Sequence, residues 1–465
     1  KLLKNKMTKK VLALTLGLTM VLSMAGCGGG KDESSAGNTV QTDNSGGMDD
    51  AEKKEETGGS GEKTKLIGMC WGSTETYTKL SNAILEQNPE LGEKYEVEWV
   101  LGGEGDGDVA EKIRLALSAN EYIADITVLN YTQVPEFAEA GVLNDVSFAI
   151  APYESQLTEA ALNLTKYKDS TIAVPFEVKS KVWYYRQDIF DECEVDVSAI
   201  KNTDDFIAAG KKIQEKYPDS YMWNLGQTAA AYSYYMTISG NGASFCDGEG
   251  NYNISQDAGV RAMLEDYKKM VDAGIIMDVS DWTTDWESAL ADGSLVSQLG
   301  AGWLGQDSFL PTYAAGQEGK WSCTTWPEIG GTVAGSDAGG SVMVVPAFSK
   351  NPEAAAEFIS YMCLSEQGSI SCYDITACLP INKAAQENEL LKNKVENGFF
   401  GMSIIEAQLK ALNDLKVFNY TPKAAAEQDI VTEYFTKAVY GQETIDDALK
   451  KCENDLSTML GNAYQ

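Results

Sequence analysis

Residues 171–190 read TIAVPFEVKSKVWYYRQDIF, and the reading of this stretch decides the fold. A short apolar run, 171–174, stops at Pro175. A polar interval with Glu177, Lys179 and Lys181 follows, then an aromatic, β-type run over 182–185. Two strand signals without a compact turn between them describe an extended segment passing between layers or lobes. Proline cannot donate to a sheet ladder, so the first strand is expected to end at Pro175. Glu177 and Lys179 then stand at a crossing, where a cleft between two bodies would be lined. An edge hairpin with solvated charges reads the same twenty residues equally well, and the rest of the chain has to decide.

The chain has 465 residues, 43% hydrophobic and 9% aromatic, enough for two or more domains with buried cores. Its net charge is −32, a field that repels nucleic acid and anionic lipid, so neither is an expected partner. It has no histidine. That removes Ser-His-Asp and Cys-His catalysis and every histidine-ligated metal site. Nine cysteines are scattered without a CxxC pair, so no zinc site is expected and most thiols should be free and buried.

Outward to the N-terminus, residues 1–10 are basic, 11–24 apolar, and Ala25-Gly26 precedes Cys27. This is the order of a secretory signal, too short for a comfortable membrane span. The segment SMAGC, 23–27, resembles a bacterial lipobox, with Met24 where leucine is usual; the resemblance implies a lipid on Cys27. Residues 28–64, rich in Gly, Ser, Asp and Glu, have almost nothing to bury and should form a flexible tether.

In the body, strand patterns at 65–71, 95–101 and 123–129 alternate with helical ones at 73–87, 109–120 and 134–140, which argues for a mostly parallel α/β sheet. Ligand residues of such sheets sit beyond the strands' carboxyl ends, which nominates residues 71–75 and 130–132, Asn130 and Tyr131 among them. The glycine-acid loop 102–108 lacks the lysine of a phosphate loop. Past the crossing come an amphipathic helix at 203–217 with Thr203 as its cap, and a Tyr-rich stretch at 221–235. A turn follows at 246–255, whose spacing puts Ala258 where a calcium loop needs glutamate. Residues 256–273 and 282–291 read as helices, and 295–303 as a strand running into Trp303. Residues 339–345 read as a strand, 351–364 and 429–439 as core helices, and 444–460 as a helix with a Thr444/Asp447 capping box.

The order of these motifs resembles the extracellular solute-binding proteins of ABC importers, sugar-binding family 1, over roughly residues 65–465. The matching stretches are ADITVLNYTQVPEFAEAGVLNDVS, TIAVPFEVKSKVWYYRQDIF, SALADGSLVSQLGAGW, SKNPEAAAEFISYM and YGQETIDDALKKCENDLS. The resemblance implies an α/β, two-lobed periplasmic-binding-protein-like fold of type II, with hinge strands around a central cleft. By analogy, 175–179 and 339–341 would be hinge crossings. Lobe 1 would hold 65–176 and 342–382, lobe 2 177–341 and 383–465, after a signal at 1–27 and the tether at 28–64. Family positions point to Trp71, Ser73 and Glu75 after the first strand, and to Glu177 or Lys179 at the crossover. Asn130 and Tyr131 stand where the family often has an aspartate. The family's GPW motif appears as Ala301-Gly302-Trp303, which departs in its first two residues but keeps the aromatic, so Trp303 is the leading candidate. Trp223 and Tyr232 are candidate second-lobe contacts, and Gly339 and Gly340 could present backbone amides.

What this implies is a non-enzymatic, cofactor-free receptor. It would be a monomer lipid-anchored outside a bacterial membrane, capturing a carbohydrate by hinged closure and delivering it to a membrane permease. A peptide, polyamine or glycerol phosphate ester would suit the same architecture, and a sensor role the same binding. A surface glycoside hydrolase would need two facing carboxylates, which 69 acidic residues do not exclude.

Overall fold

The first of two large sheets forms around β1 (Thr64–Trp71), whose alternating side chains are buried on both faces. The computed structural model describes residues 62–228, 230–305, 309–335, 340–392, 398–400 and 403–465. The signal, nearly all of the tether, Cys27 and Gly339 therefore lie outside the described residues. The last tether residue assigned from sequence, Thr64, already belongs to β1.

β1 pairs in parallel with β2 (Tyr95–Gly103) and β3 (Ile126–Asn130). The sheet continues through β8 (Ser341–Val344) to the edge strand β4 (Val174–Glu177), in the order β2-β1-β3-β8-β4. β8 is antiparallel to both of its neighbours, so the sheet is half parallel rather than mostly so. The difference arises because β8 enters from a long excursion through the second body instead of a short βα return. One face packs Leu66, Cys70, Val128 and Met343 onto the helices Thr74–Gln87 and Pro352–Leu364; the other packs Met69, Leu129 and Val342. Gly68 has no side chain because the Trp99 ring lies where one would go, 2.5 Å from an added Cβ.

The decisive stretch departs from expectation in one detail. β4 runs through Pro175 to Glu177 instead of ending at the proline. Its register against β8 pairs Ser341 with Glu177 but Val342 with Pro175, leaving Phe176 as a bulge. An edge strand at a bulge is where a missing N–H removes no ladder bond.

After three residues the chain begins β5 (Lys181–Arg186), the centre of the second sheet, flanked antiparallel by β6 (Ser297–Ala301) and β7 (Trp321–Thr324). All six β5 residues are buried. Lys181, which the sequence presents as part of a polar interval, is 1% exposed, its ammonium 4.1 Å from the centre of the Trp326 ring. Trp183 faces a core shared with Trp223, Phe206 and Tyr267, while Val182 and Tyr184 face another with Trp286 and Leu304.

The chain thus crosses between sheets at 177–181, stays in the second body through Ile329 and Thr332, and is back in the first sheet at Ser341. The helix Ile405–Asn413 is shared, with Ile405 and Leu412 in the first sheet's core and Ala411 in the second's. Packing therefore does not break at residue 382. The helix at 203 is capped by Asn202, whose Oδ1 accepts from the Asp205 amide at 3.0 Å; the expected cap, Thr203, is buried inside it. All eight described cysteines are free thiols.

Candidate functional site

Between the sheets lies a cleft of about 900 Å³. Its first wall is built where β1 and β2 end and the chain leaves β4. Trp71 closes β1 just before the sharp turn at Gly72 (φ +71°), and Glu104 and Asp106 come from the glycine-acid loop. Glu177 and Lys179 form the floor, with ammonium and carboxylate 3.4 Å apart.

Glu177 receives donors from three separate segments. Ser341 Oγ donates to Oε2 at 2.8 Å, the Cys378 thiol to Oε1 at 3.3 Å, and Lys179 sits beside them. Burial alone would raise its carboxyl, but the Lys179 charge and the Ser341 and Cys378 hydrogen bonds outweigh it and hold the group below its ordinary range. Burial, then the Glu177 charge, push the Cys378 thiol well up, so it stays a protonated donor.

The second wall is aromatic. β6 ends in the tight turn Gly302–Gly305, which carries Trp303. Trp303 stacks on Trp282 (centroids 5.3 Å, 22°) and meets the edge of Phe309 at 4.7 Å. Gln408 Nε2 donates to the Gly302 carbonyl at 2.7 Å and holds this turn.

Of the residues nominated from sequence, the cleft brings together Trp71, Glu177, Lys179 and Trp303. Asn130 lies in an adjoining cavity of about 410 Å³ that shares Asp106 with the cleft, its Oδ1 accepting from the Thr132 amide. Tyr131 turns to a different cavity, its hydroxyl donating to the Lys166 carbonyl at 3.0 Å.

Five nominations are corrected. Ser73 caps the helix Thr74–Gln87, accepting from the Glu75 amide, and exposed Glu75 pairs with Lys79 at 2.7 Å, so both serve the helix start. Trp223 is fully buried, edge-on to Tyr267 and Trp326, because its strand lies inside the second core. Tyr232 stands behind the wall, its hydroxyl accepting from the Ala301 amide at 3.1 Å. Gly340 packs on the crossing strand, where an added Cβ would lie 2.0 Å from the Glu177 carbonyl oxygen; it is not on the cleft surface.

The sequence reading missed Glu104, Asp106, Trp282, Phe309, Cys378 and Gln408. Trp282 carried a signal. In DWTTDWES the helix cap is Thr283, which puts Trp286 on the buried helical face and leaves Trp282 outside the helix.

A family profile described as bacterial extracellular solute-binding protein matches residues 81–398, more than half of the chain. The chain belongs to this family. It is 24% identical over 362 residues to the arabinooligosaccharide-binding protein of Halalkalibacterium halodurans, covering 74% of this chain and 79% of that one. A solved ABC-transporter-associated binding protein from B. animalis subsp. lactis, in complex with β-1,6-galactobiose, superimposes with a TM-score of 0.67. That match has 20% identity over 87% of this chain and all of the other. The sugar-binding protein MalE of Xanthomonas citri gives 0.72, with 19% identity over 85% and 97%. The fold is two-lobed and of this binding-protein type, and family members bind solutes rather than transform them.

Proposed function

We propose that this chain is the capture subunit of an ABC importer for an oligosaccharide. The arabinooligosaccharides named for its relative are the first class to test. The observation that carries the reading is the pairing of an aromatic wall with a wall of carboxylates across one cleft. A sugar ring has apolar C–H faces and a rim of hydroxyls. It needs a flat aromatic surface on one side and planar hydrogen-bonding groups on the other. A cleft of about 900 Å³ is at the roomy end for a small-molecule site.

Trp71, Glu104, Asp106, Glu177 and Lys179 would take the hydroxyls, with Asn130 at the adjoining end. Closure would pivot at 177–181 and where the chain re-enters the first sheet before Ser341, with the helix Ile405–Asn413, which packs on both cores, carrying the second boundary past residue 382. A ligand touching both walls favours the closed state by its differential affinity. A lipid on Cys27 and the tether would hold the monomer beside its permease and raise the local concentration there.

The test is a thermal-shift screen of the full chain against arabinotriose, β-1,6-galactobiose, maltotriose, amino acids, short peptides and polyamines, since a ligand that binds only the native state raises the melting temperature. A selective response to a sugar supports the reading. Stabilisation by peptides or polyamines alone overturns the sugar assignment.

A further inference from the structure

The backbone of Trp282 is at odds with its side chain. Its φ of +65° lies in the left-handed region, which a bulky residue enters only against steric resistance. Asn120 and Ala377 share that conformation as helix C-caps, an ordinary use. Trp282 ends no helix; it precedes the cap Thr283. Strain of this kind persists only where the surroundings over-determine it, and it gathers at binding sites.

The surroundings here are a polar clasp between residues 224–228, at the end of a short strand, and the loop 278–283. Asn224 Nδ2 donates to Asp281 Oδ1 at 2.8 Å and to the Val279 carbonyl at 3.0 Å. The Gln227 amide and side chain donate to the Asp278 carboxylate at 3.0 and 2.6 Å. Ser280 Oγ donates to the Thr228 carbonyl at 2.6 Å, and Thr283 Oγ1 to the Ser280 carbonyl at 2.8 Å.

Trp282 as a residue is 48% exposed, the one tryptophan of that exposure among the described residues, and its ring stacks on Trp303. Both rings have three aromatic neighbours, Trp303 meeting Trp282, Phe309 and Tyr232, and Trp282 meeting Trp303, Trp286 at 5.1 Å and Phe309 at 6.0 Å. Trp303 is only half-buried in the wall, but Trp282 is exposed.

We propose that Trp282, and not Trp303, presents the stacking face to the ligand, that Trp303 backs it, and that the Asn224–Asp281 pair positions it by holding its left-handed backbone. The inference rests on the sugar-binding reading above, and the ligand group it takes is the apolar C–H face of a sugar ring.

The test is isothermal titration of the full chain with arabinotriose, β-1,6-galactobiose and maltotriose, comparing wild type with Trp282→Gly, Trp303→Phe, Asp281→Ala and the Asp281→Ala/Trp282→Gly double variant. Glycine suits φ +65°, so Trp282→Gly removes the ring without adding strain. It is expected to weaken binding at least about tenfold, as loss of a central aromatic contact does, in a protein that still unfolds cooperatively. Trp303→Phe keeps a backing ring and is expected to lose less. Asp281→Ala is expected to weaken binding in the wild-type background and to add nothing to Trp282→Gly, since a group acting only through that ring is not additive with it. Wild-type affinity in Trp282→Gly with loss in Trp303→Phe overturns the inference and leaves the sugar reading standing, as does an additive double variant for the clasp. A wild type that binds none of the three sugars, but binds a peptide or polyamine, overturns both.

Discussion

The two walls of the cleft are made in opposite ways. The first wall is local: Trp71 ends a strand, and Glu104 and Asp106 follow the next one within a few residues. Its charges, by contrast, are held from farther along the chain: Asp106 Oδ2 accepts from Gln133 at 3.4 Å, and Glu177 from Ser341 and Cys378. The second wall is convergent: Trp282, Trp303 and Phe309 come from different turns and meet only because β6 and two loops are packed side by side. The first wall offers directional hydrogen bonds that water can also satisfy. The second offers apolar area that only a ligand can cover. Affinity should therefore depend more on the aromatic wall, and selection among sugars more on the polar one.

The joint between the walls is the largest lever. Gly340→Ala places a Cβ 2.0 Å from the Glu177 carbonyl oxygen at a φ of +84°. It should destabilise the protein by about 3 kcal/mol, an overpacking and backbone cost combined, read as a lowered urea midpoint. An unchanged midpoint would mean that the crossing strands are loosely joined.

The clasp behind the aromatic wall is next. Burial pushes the Asp281 carboxyl up to about 6, against the hydrogen bond from Asn224. The folded state then keeps a proton that the unfolded state gives up near pH 4. Stability from this group is full below that value and falls as pH rises toward about 6, by on the order of 2 kcal/mol. Asp278, with Gln227 and Tyr440 against it, is the neighbouring acid. Asp281→Asn should remove this slope from the difference between denaturation curves taken at pH 4 to 7, and equal slopes would refute the assignment.

On the polar wall, Glu177→Gln should weaken sugar binding about tenfold, the loss of one set of charge-assisted bonds. A larger loss than in Trp282→Gly would reverse the ranking of the two walls. The sign at acid pH differs from that of Asp281. Glu177 is held below its ordinary range, so its contribution is present above the usual carboxylate value and lost as pH falls through the depressed one. The smallest effect belongs to Ser73→Ala, which should cost about 1 kcal/mol through its helix cap and leave affinity untouched in the same titration.

The contrast between the walls also explains what was legible. Loop positions after strands were readable because strand periodicity locates strand ends, and that rule reached Trp71 on the cleft and Asn130 in the adjoining cavity. It also swept in Ser73 and Glu75, since a residue that follows a strand can as easily cap the next helix. Trp223 and Tyr232 were chosen for ring chemistry, yet one is core and the other backing, because composition does not say which way a ring points. Trp303 was reached through its turn, and the sequence did not show that Trp282 would stack on it.

By itself the sequence determined the strand and helix order, the passage of residues 171–190 between two bodies, and the membership that residues 81–398 confirm. Those depend on periodicity, on glycine and proline, and on motif order, all written along the chain. Only the tertiary structure decided that β4 runs through its proline, that Lys181 is buried beneath Trp326, and that the most exposed tryptophan of the cleft is Trp282. Each of those depends on what a side chain meets from distant parts of the chain: an edge position, a ring, a clasp of hydrogen bonds. Burial and backbone strain are properties of that meeting, and no window of neighbouring residues contains them.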